Sequence, residues 1–351
     1  MNIRDIAKIS GVGVSTVSRV LNNHPDVKES TRENVLRVIK ESNYVPNNSA
    51  RILKQNTTKN IGVLVKGVFN PFFSELINVI GSKINEEKYT MILQQNDYVL
   101  EQEVENIISF VKEKRLQGII CLGGNFIDLD EDSFKNIDVP VVLTSVNTVS
   151  SAGRDKYSTV GIDNLQSAYS ATEYLIKKGH ENIAIMIGEK NDFCVSWWRY
   201  KGYIKALMDY NIKINDENLI IGDYDSEKAY EETMKLLKHR KDITAIFVIS
   251  DFMAIGAAKA VSDSGLRVGE DISIIGFDGM DVSCYYNPGI TTINQPKKEM
   301  AEKSVEILFE LLKKKGENKH ILLDTQLIER ESCMDISNSE MGQRKVEKAD
   351  G

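Results

Sequence analysis

From Ile61 onward, short apolar runs alternate with helical patterns, and the alternation happens twice. Ile61–Val65, Met91–Gln94, Gly118–Leu122 and Val139–Thr144 predict buried parallel strands, with helices over Phe73–Asn85 and Glu101–Lys114 between them. A second series places strands at Ile183–Ile187, Ile220–Gly222, Ala245–Ile249 and Ser273–Phe277. They interleave with helices near Leu165–Lys178, Tyr200–Tyr210, Ser226–His239 and Met253–Ser264. Fully apolar strands joined by crossover helices build a sheet covered on both faces, so two series in tandem predict two doubly wound α/β lobes.

The first sixty residues follow a different rule. Ile3, Ile6 and Ala7 share one face of a short helix that stops at Gly11. Val17, Val20 and Leu21 repeat the spacing after Gly13, and Val35, Val38 and Ile39 close a three-helix core from a helix over about Glu29–Ser42. Two helices joined by a short glycine-containing turn form the unit whose second helix enters the DNA major groove. Packing leaves Val14, Ser15, Ser18, Arg19 and Asn22 outward. A small helical bundle with a solvated face would share this pattern, and charge separates the two readings. Ten Lys/Arg against five Asp/Glu put residues 1–60 at +5, and the whole chain carries −7, so the remaining 291 residues carry −12. A basic module on an acidic body confines phosphate contact to one part of the molecule.

The string IRDIAKISGVGVSTVSRVLN from Ile3 to Asn22 closely resembles the headpiece of the lactose-repressor/galactose-repressor (LacI/GalR) family. The match continues through Thr31-Arg32, Asn43-Tyr44, Pro46-Asn47 and Ala50 to Leu53. In the core, similar stretches are Gly161–Asn164, Tyr174–His180, Arg199–Tyr203, Asp251–Gly256, Ile275–Asp278 and Thr291–Pro296. The resemblance implies DNA contacts from Val14, Ser15, Thr16, Arg19, Asn22, Thr31, Asn47, Arg51 and Leu53. Val14, Ser15 and Arg19 would reach base edges, and Leu53 would wedge into the minor groove. The chemistry fits, because Arg can donate two bonds to a guanine and leucine can unstack a base step. Two positions depart from the family, which favours serine as a helix cap: Gly13 precedes the second helix and Lys28 the third. Glycine is an adequate cap, whereas lysine opposes the helix dipole by roughly 0.3–1 kcal/mol.

The expected fold class is therefore an N-terminal all-α helix-turn-helix headpiece plus an α/β core of two doubly wound parallel-sheet lobes, periplasmic-binding-protein-like (type I). The headpiece spans 1–45 and a hinge 46–60, which by resemblance becomes helical on DNA, a plain linker being the alternative. The core spans 61–334, with lobe 1 at about 61–159 and 293–322 and lobe 2 at about 160–292 and 323–334. A polar, disordered tail is expected over 335–351.

Open parallel sheets bind ligands beyond the carboxyl ends of their strands, and two facing lobes place that crevice between them. The resemblance and the strand ends together nominate Phe72, Phe73, Asn96, Ser145, Trp197, Arg199, Ser250, Asp251 and Asp278 as effector contacts. Ser145 stands where many relatives carry aspartate. Core packing is the competing role for Phe72 and Phe73, and a surface ion pair for Arg199. The mixture of hydrogen-bonding and aromatic groups suits a mono- or disaccharide, with a purine as runner-up.

Other functions lack their chemistry. No G-x-G-x-x-G follows the first strand, and no G-x-S-x-G, H-E-x-x-H or Walker lysine occurs, so neither enzyme activity nor a cofactor is expected. His24, His180, His239 and His320 are dispersed, as are Cys121, Cys194, Cys284 and Cys333, so no metal site and only unpaired thiols are expected. The chain shows neither a leader nor an apolar span, which opposes an exported solute receptor and predicts a cytoplasmic protein without membrane contact. The expected partners are pseudo-palindromic double-stranded operator DNA, a small effector and a second copy of the chain, with DNA binding repressing transcription. A simple dimer is favoured because the tail lacks a leucine heptad, and Phe252 to Ile255 offers a candidate interface.

Overall fold

The computed structural model describes residues 1–21, 23–44, 59–66, 71–96, 103–126, 129–146, 153–189 and 195–337. The expectations for Asn22, Asn47, Arg51, Leu53, the hinge, Cys194 and the tail beyond 337 lie outside the described residues. The chain divides into two compact units, residues 1–58 and 59–351.

In the first unit, α1 (Ile3–Ser10), α2 (Val14–Leu21) and α3 (Glu29–Glu41) pack around Ile6, Ala7, Val17, Val20, Val35 and Val38. Ile3, Leu21 and Ile39 sit at the rim of that core, not inside it. The α1 N-terminus is a capping box: the Asn2 side chain accepts from the Arg4 and Asp5 amides, and Asp5 accepts from the Asn2 amide at 2.8 Å. Gly11 ends α1 in the left-handed conformation, φ 68°, where glycine carries no Cβ penalty. Lys28 caps α3 with no side-chain bond. Arg32 braces the preceding turn by donating to Asn23 Oδ1 and to the His24 carbonyl, each at 2.7 Å.

The second unit holds two six-stranded sheets. The first has the order β11–β5–β4–β3–β1–β2, built from β1 (Asn60–Lys66), β2 (Thr90–Asn96), β3 (Gly118–Leu122), β4 (Val141–Thr144), β5 (Ser158–Ile162) and β11 (His320–Leu323), all parallel. The second has the order β12–β10–β9–β8–β6–β7, from β6 (Ile183–Ile187), β7 (Leu219–Ile221), β8 (Ala245–Val248), β9 (Ser273–Asp278), β10 (Thr291–Asn294) and β12 (Gln326–Ile328). There β12 is an antiparallel edge on β10. Two helices, α4 (Pro71–Glu86) and α5 (Glu103–Lys114), belong to the first lobe, while α6 (Asn164–Lys177), α7 (Val195–Asp209), α8 (Ser226–His239), α9 (Asp251–Asp263) and α10 (Asp281–Tyr285) belong to the second. The helix α11 (Lys297–Leu312) returns to the first, burying Met300, Leu308 and Phe309 and joining β4 through a 2.7 Å bond between Ser304 and Thr144.

The chain passes between lobes three times: after β5, after β10 and after β11. This corrects the expected boundaries. A strand cannot be split between sheets, so β5 carries lobe 1 through 162 and β10 carries lobe 2 through 294. Residues 335–337 are likewise attached, not loose, because the Ile336 amide donates to the Lys178 carbonyl at 2.8 Å.

Candidate functional site

On the headpiece, α2 presents Val14, Ser15 and Arg19 outward, with Val14 42% exposed, while Thr16 and Thr31 are half-buried. The helix is held from behind by Val17 and Val20, so its outer face owes nothing to the core and is open to a major groove.

The second lobe brings Arg199, Ser250, Asp251 and Asp278 to the carboxyl ends of its strands, as expected, but buries them all. Arg199, on α7, donates Nε to Asn164 Oδ1 at 2.9 Å and Nη1 to the Ile249 carbonyl at 2.6 Å. Its guanidinium stacks 3.6 Å from the Phe277 ring centroid and lies 3.6 Å from Asp278 Oδ1. A surface ion pair is thereby excluded for this arginine. Asp278 ends β9 at φ 110°, outside the region that L-residues favour, and the next residue, Gly279, continues at 67°. A Cβ on Gly279 would lie 2.1 Å from Asn294 Oδ1, so only glycine fits. Burial pushes the Asp278 carboxyl up, opposed by Arg199 and by hydrogen bonds from Gln295 and Ser250.

Two expectations change here. Asp251 is fully buried, and its oxygens accept from the Met280 amide and the Thr292 hydroxyl, both at 2.7 Å. It braces the 278–280 turn, and burial with Asp278 nearby pushes its carboxyl up to about 7. Trp197 lies on the exposed side of α7, because positions 197 and 199 are about 200° apart around a helix and Arg199 faces the core. Its neighbour Trp198 is half-buried, and its Nε1 has no hydrogen-bond partner among the described residues. Lys201 sits over both indoles, 5.1 Å and 4.9 Å from their centroids.

In the first lobe, Phe72 and Phe73 begin α4 and are 2% and 9% exposed, so their rings serve the core, meeting edge to face at 5.2 Å. Ser145 follows β4 half-buried at φ 58°. Asn96 ends β2 beside Lys66 of β1, and its side chain lies outside the described residues. Lys66 is buried against Glu103, which also accepts from the Asn125 amide at 2.5 Å. The cavity beside this pair is about 10 Å³, room for a water and no more.

Sequence reasoning missed Asn164, Gln295 and Lys297. Gln295 is 2% exposed, donates Nε2 to Asp278 Oδ1 at 2.8 Å, and leaves Oε1 without a partner among the described residues. Asn164 and Gln295 lie in stretches that carried the family resemblance, Gly161–Asn164 and Thr291–Pro296, so the signal was present but was not converted into site residues.

Chemically, the second-lobe floor offers a cation in Arg199, a carboxylate in Asp278 and, in Gln295 Oε1, an acceptor unfilled among the described residues, a set suited to hydroxyl groups. Among the described residues, no group of three or more His, Cys, Asp or Glu is placed to hold a metal ion, and no helix is long and apolar enough to cross a membrane.

Comparison with known proteins agrees with this layout. Residues 2–47 match the model of bacterial regulatory proteins of the lacI family, and residues 172–333 match a periplasmic binding protein-like domain. The HTH-type transcriptional regulator MalR of Clostridium butyricum is 67% identical over 336 residues, 96% of this chain and 100% of that protein. Among solved structures, a lac repressor dimer bound to operator and the anti-inducer ONPF superposes with a TM-score of 0.73 at 26% identity, covering 95% of this chain and 99% of that one. A complex of the transcriptional regulator CelR with cellobiose gives 0.68 at 27% identity over the same shares. With a headpiece and a two-lobed core that both match over such lengths, the chain belongs to the lacI family of bacterial regulatory proteins.

Proposed function

We propose that this regulator is a homodimeric repressor in the cytoplasm whose affinity for a pseudo-palindromic operator is set by a saccharide bound between its core lobes. The observation that carries the saccharide is the floor of the second lobe. Arg199 and Asp278 are held in place by protein groups, while Gln295 Oε1, beside Asp278, is buried and unfilled among the described residues. A buried acceptor or donor left empty costs about 1–3 kcal/mol, and a hydroxyl, which both gives and accepts, relieves either kind. That CelR was solved with cellobiose supports the same class.

The α2 face would read bases, and a second copy would supply the other half-site. The second lobe offers a surface for that copy. Packed against α9, helix α10 exposes Val282 and Tyr285 at 45% and 83%, next to the half-buried Phe252 and Ile255. Met253 and Ala254 are core residues and drop out of the expected interface. A regulator of this design needs no catalytic group, and we assign it no reaction.

The test is a mobility shift with a selected operator fragment, run with and without maltose, cellobiose or hypoxanthine. A shift that changes with one disaccharide and not with hypoxanthine is the expected result. Response to hypoxanthine alone would replace the saccharide by a purine, and failure to bind any selected fragment would remove the DNA role.

A further inference from the structure

Lys297 opens α11, a helix of the first lobe, yet its ammonium lies against the second lobe. It donates to the Asp278 carbonyl at 3.2 Å and to the Gly279 carbonyl, and it stands 3.6 Å from Glu75 Oε2 on α4. Glu75 is one turn beyond Phe72, so the three oxygens around this ammonium come from the strained end of β9 and from the aromatic start of α4. The side chain is only 8% exposed, and lysine is almost never buried unless its charge is paired. A lysine brings three donors, one for each oxygen present.

The two carbonyls are the unusual part. Asp278 and Gly279 both have positive φ; glycine adopts it freely, but for Asp278, which carries a Cβ, it persists only when its surroundings over-determine it. The Gln295 amide bonds the Asp278 carbonyl at 3.3 Å, and the Thr292 hydroxyl accepts from the Gly279 amide at 3.3 Å. Both of those come from the second lobe's own β10 or the residue after it. Among the described residues, Lys297 is the hydrogen-bonding contact that ties the turn to the first lobe.

We infer that Lys297 is a positioning residue of the effector site, fixing the 278–279 turn, and with it the Asp278 carboxylate, against the start of α4 without touching the effector. The inference rests on the effector reading proposed above. Binding tightens when a site is held ready in its bound shape, and a charged donor on a carbonyl is a strong way to hold it.

The experiment uses the full-length protein and its Lys297→Met, Glu75→Gln and doubly substituted variants, with Lys303→Met on the exposed face of α11 as control. Binding of maltose, cellobiose and hypoxanthine is measured by calorimetry, alongside the thermal midpoint. For whichever probe the parent binds, Lys297→Met should weaken binding about tenfold or more, the effect of losing one charged hydrogen bond. Glu75→Gln should weaken it less, and the double variant should match Lys297→Met, because both act through one ammonium. Lys303→Met should bind as the parent does. Parental affinity in Lys297→Met, or effects that add in the double variant, would overturn the positioning role. If Lys297→Met fails to fold, Glu75→Gln decides alone, and parental affinity there overturns the role. A parent that binds none of the three probes defeats the effector reading itself.

Discussion

The outer face of α2 and the floor of the second lobe are both suited to recognition, and they are constructed in opposite ways. On α2 the proposed reading groups Val14, Ser15 and Arg19 are exposed and owe their direction to the helix beneath them. In the second lobe Arg199 and Asp278 are 4% and 3% exposed, and each is held by several protein partners. A bare face orders its side chains when it meets DNA, so its cost falls on binding. A buried network has ordered its groups during folding, so its cost falls on stability. Substitution should therefore separate function from stability on α2 and entangle them in the core.

Arg199→Ala gives the largest expected effect. It strands the Asp278 carboxyl in the interior, and breaking a buried pair by removing one member costs about 3–5 kcal/mol. Urea unfolding should register that loss, and the Arg199→Ala/Asp278→Ala double variant should cost clearly less than the sum of the singles. Variants that still fold should bind operator and lose the effector response. Strict additivity would mean that the pair is not a unit, and the contrast with α2 would weaken.

A second test uses pH. His180 is fully buried between Thr244 and the Met334 carbonyl, and burial lowers it to about 4 from 6.5. Between those values the unfolded chain takes up a proton that the folded chain refuses. Stability from this group is whole above pH 6.5 and falls by about 3 kcal/mol in total as pH drops toward 4. Asp251, raised from 3.8 to about 7, runs the other way: its contribution is whole below pH 3.8 and is lost as pH rises through 7. Between pH 4 and 6.5 His180 is thus opposed by Asp251 and by Asp278, which burial also raises, and the parent should show a shallower acid-side loss than His180 alone would give. Asp251→Asn should expose the acid-side loss, and His180→Asn should tilt the profile oppositely. A flat profile in both variants would show that burial does not govern these groups.

Arg19→Ala should weaken operator binding by roughly 1–3 kcal/mol in a mobility shift while leaving the urea midpoint in place, as direct base readout requires. A matching drop in stability would erase the distinction between the two regions. The smallest effect belongs to Lys28→Ser. A serine there can accept from the first free amides of α3, stabilising the headpiece by roughly 0.5–1 kcal/mol, visible as slower amide exchange along α3.

The same contrast explains what could be read in the chain. The exposed α2 face follows from periodicity, since apolar residues at i, i+3 and i+4 leave the remaining positions outside. Most strands and core helices were equally plain, because long apolar runs with crossover helices admit few arrangements. β5, β10, β11 and β12 escaped because each is short and opens on polar residues (Ser158 and Thr159, Thr291 and Thr292, His320, Gln326), so none reads as a plain apolar run. The lobe crossings were still expected near residues 160, 293 and 323, but Gln295 and Lys297, which sit just beyond β10, were missed because no strand end was named there. Trp197 and Asp251 show a further limit. Proximity in sequence to a site residue says nothing about which side of a helix a group occupies, or whether its hydrogen bonds are already used.

The three crossings have a consequence for how the protein is made. β3 to β5 of the first lobe are complete by residue 162, but α11, which covers them, ends at residue 312. At the usual pace of 5–20 residues per second, the intervening 150 or so residues take roughly 8–30 s to synthesise. Throughout that interval a strip of Ile, Val and Leu side chains on the nascent first lobe has no lid. Neither sheet gains its last strand until β11 and β12 emerge, after α11. The headpiece, finished by Glu41, can fold while the rest is unwritten; the lobes must wait for each other, and the ribosome-bound chain is the form of this protein most in need of a chaperone.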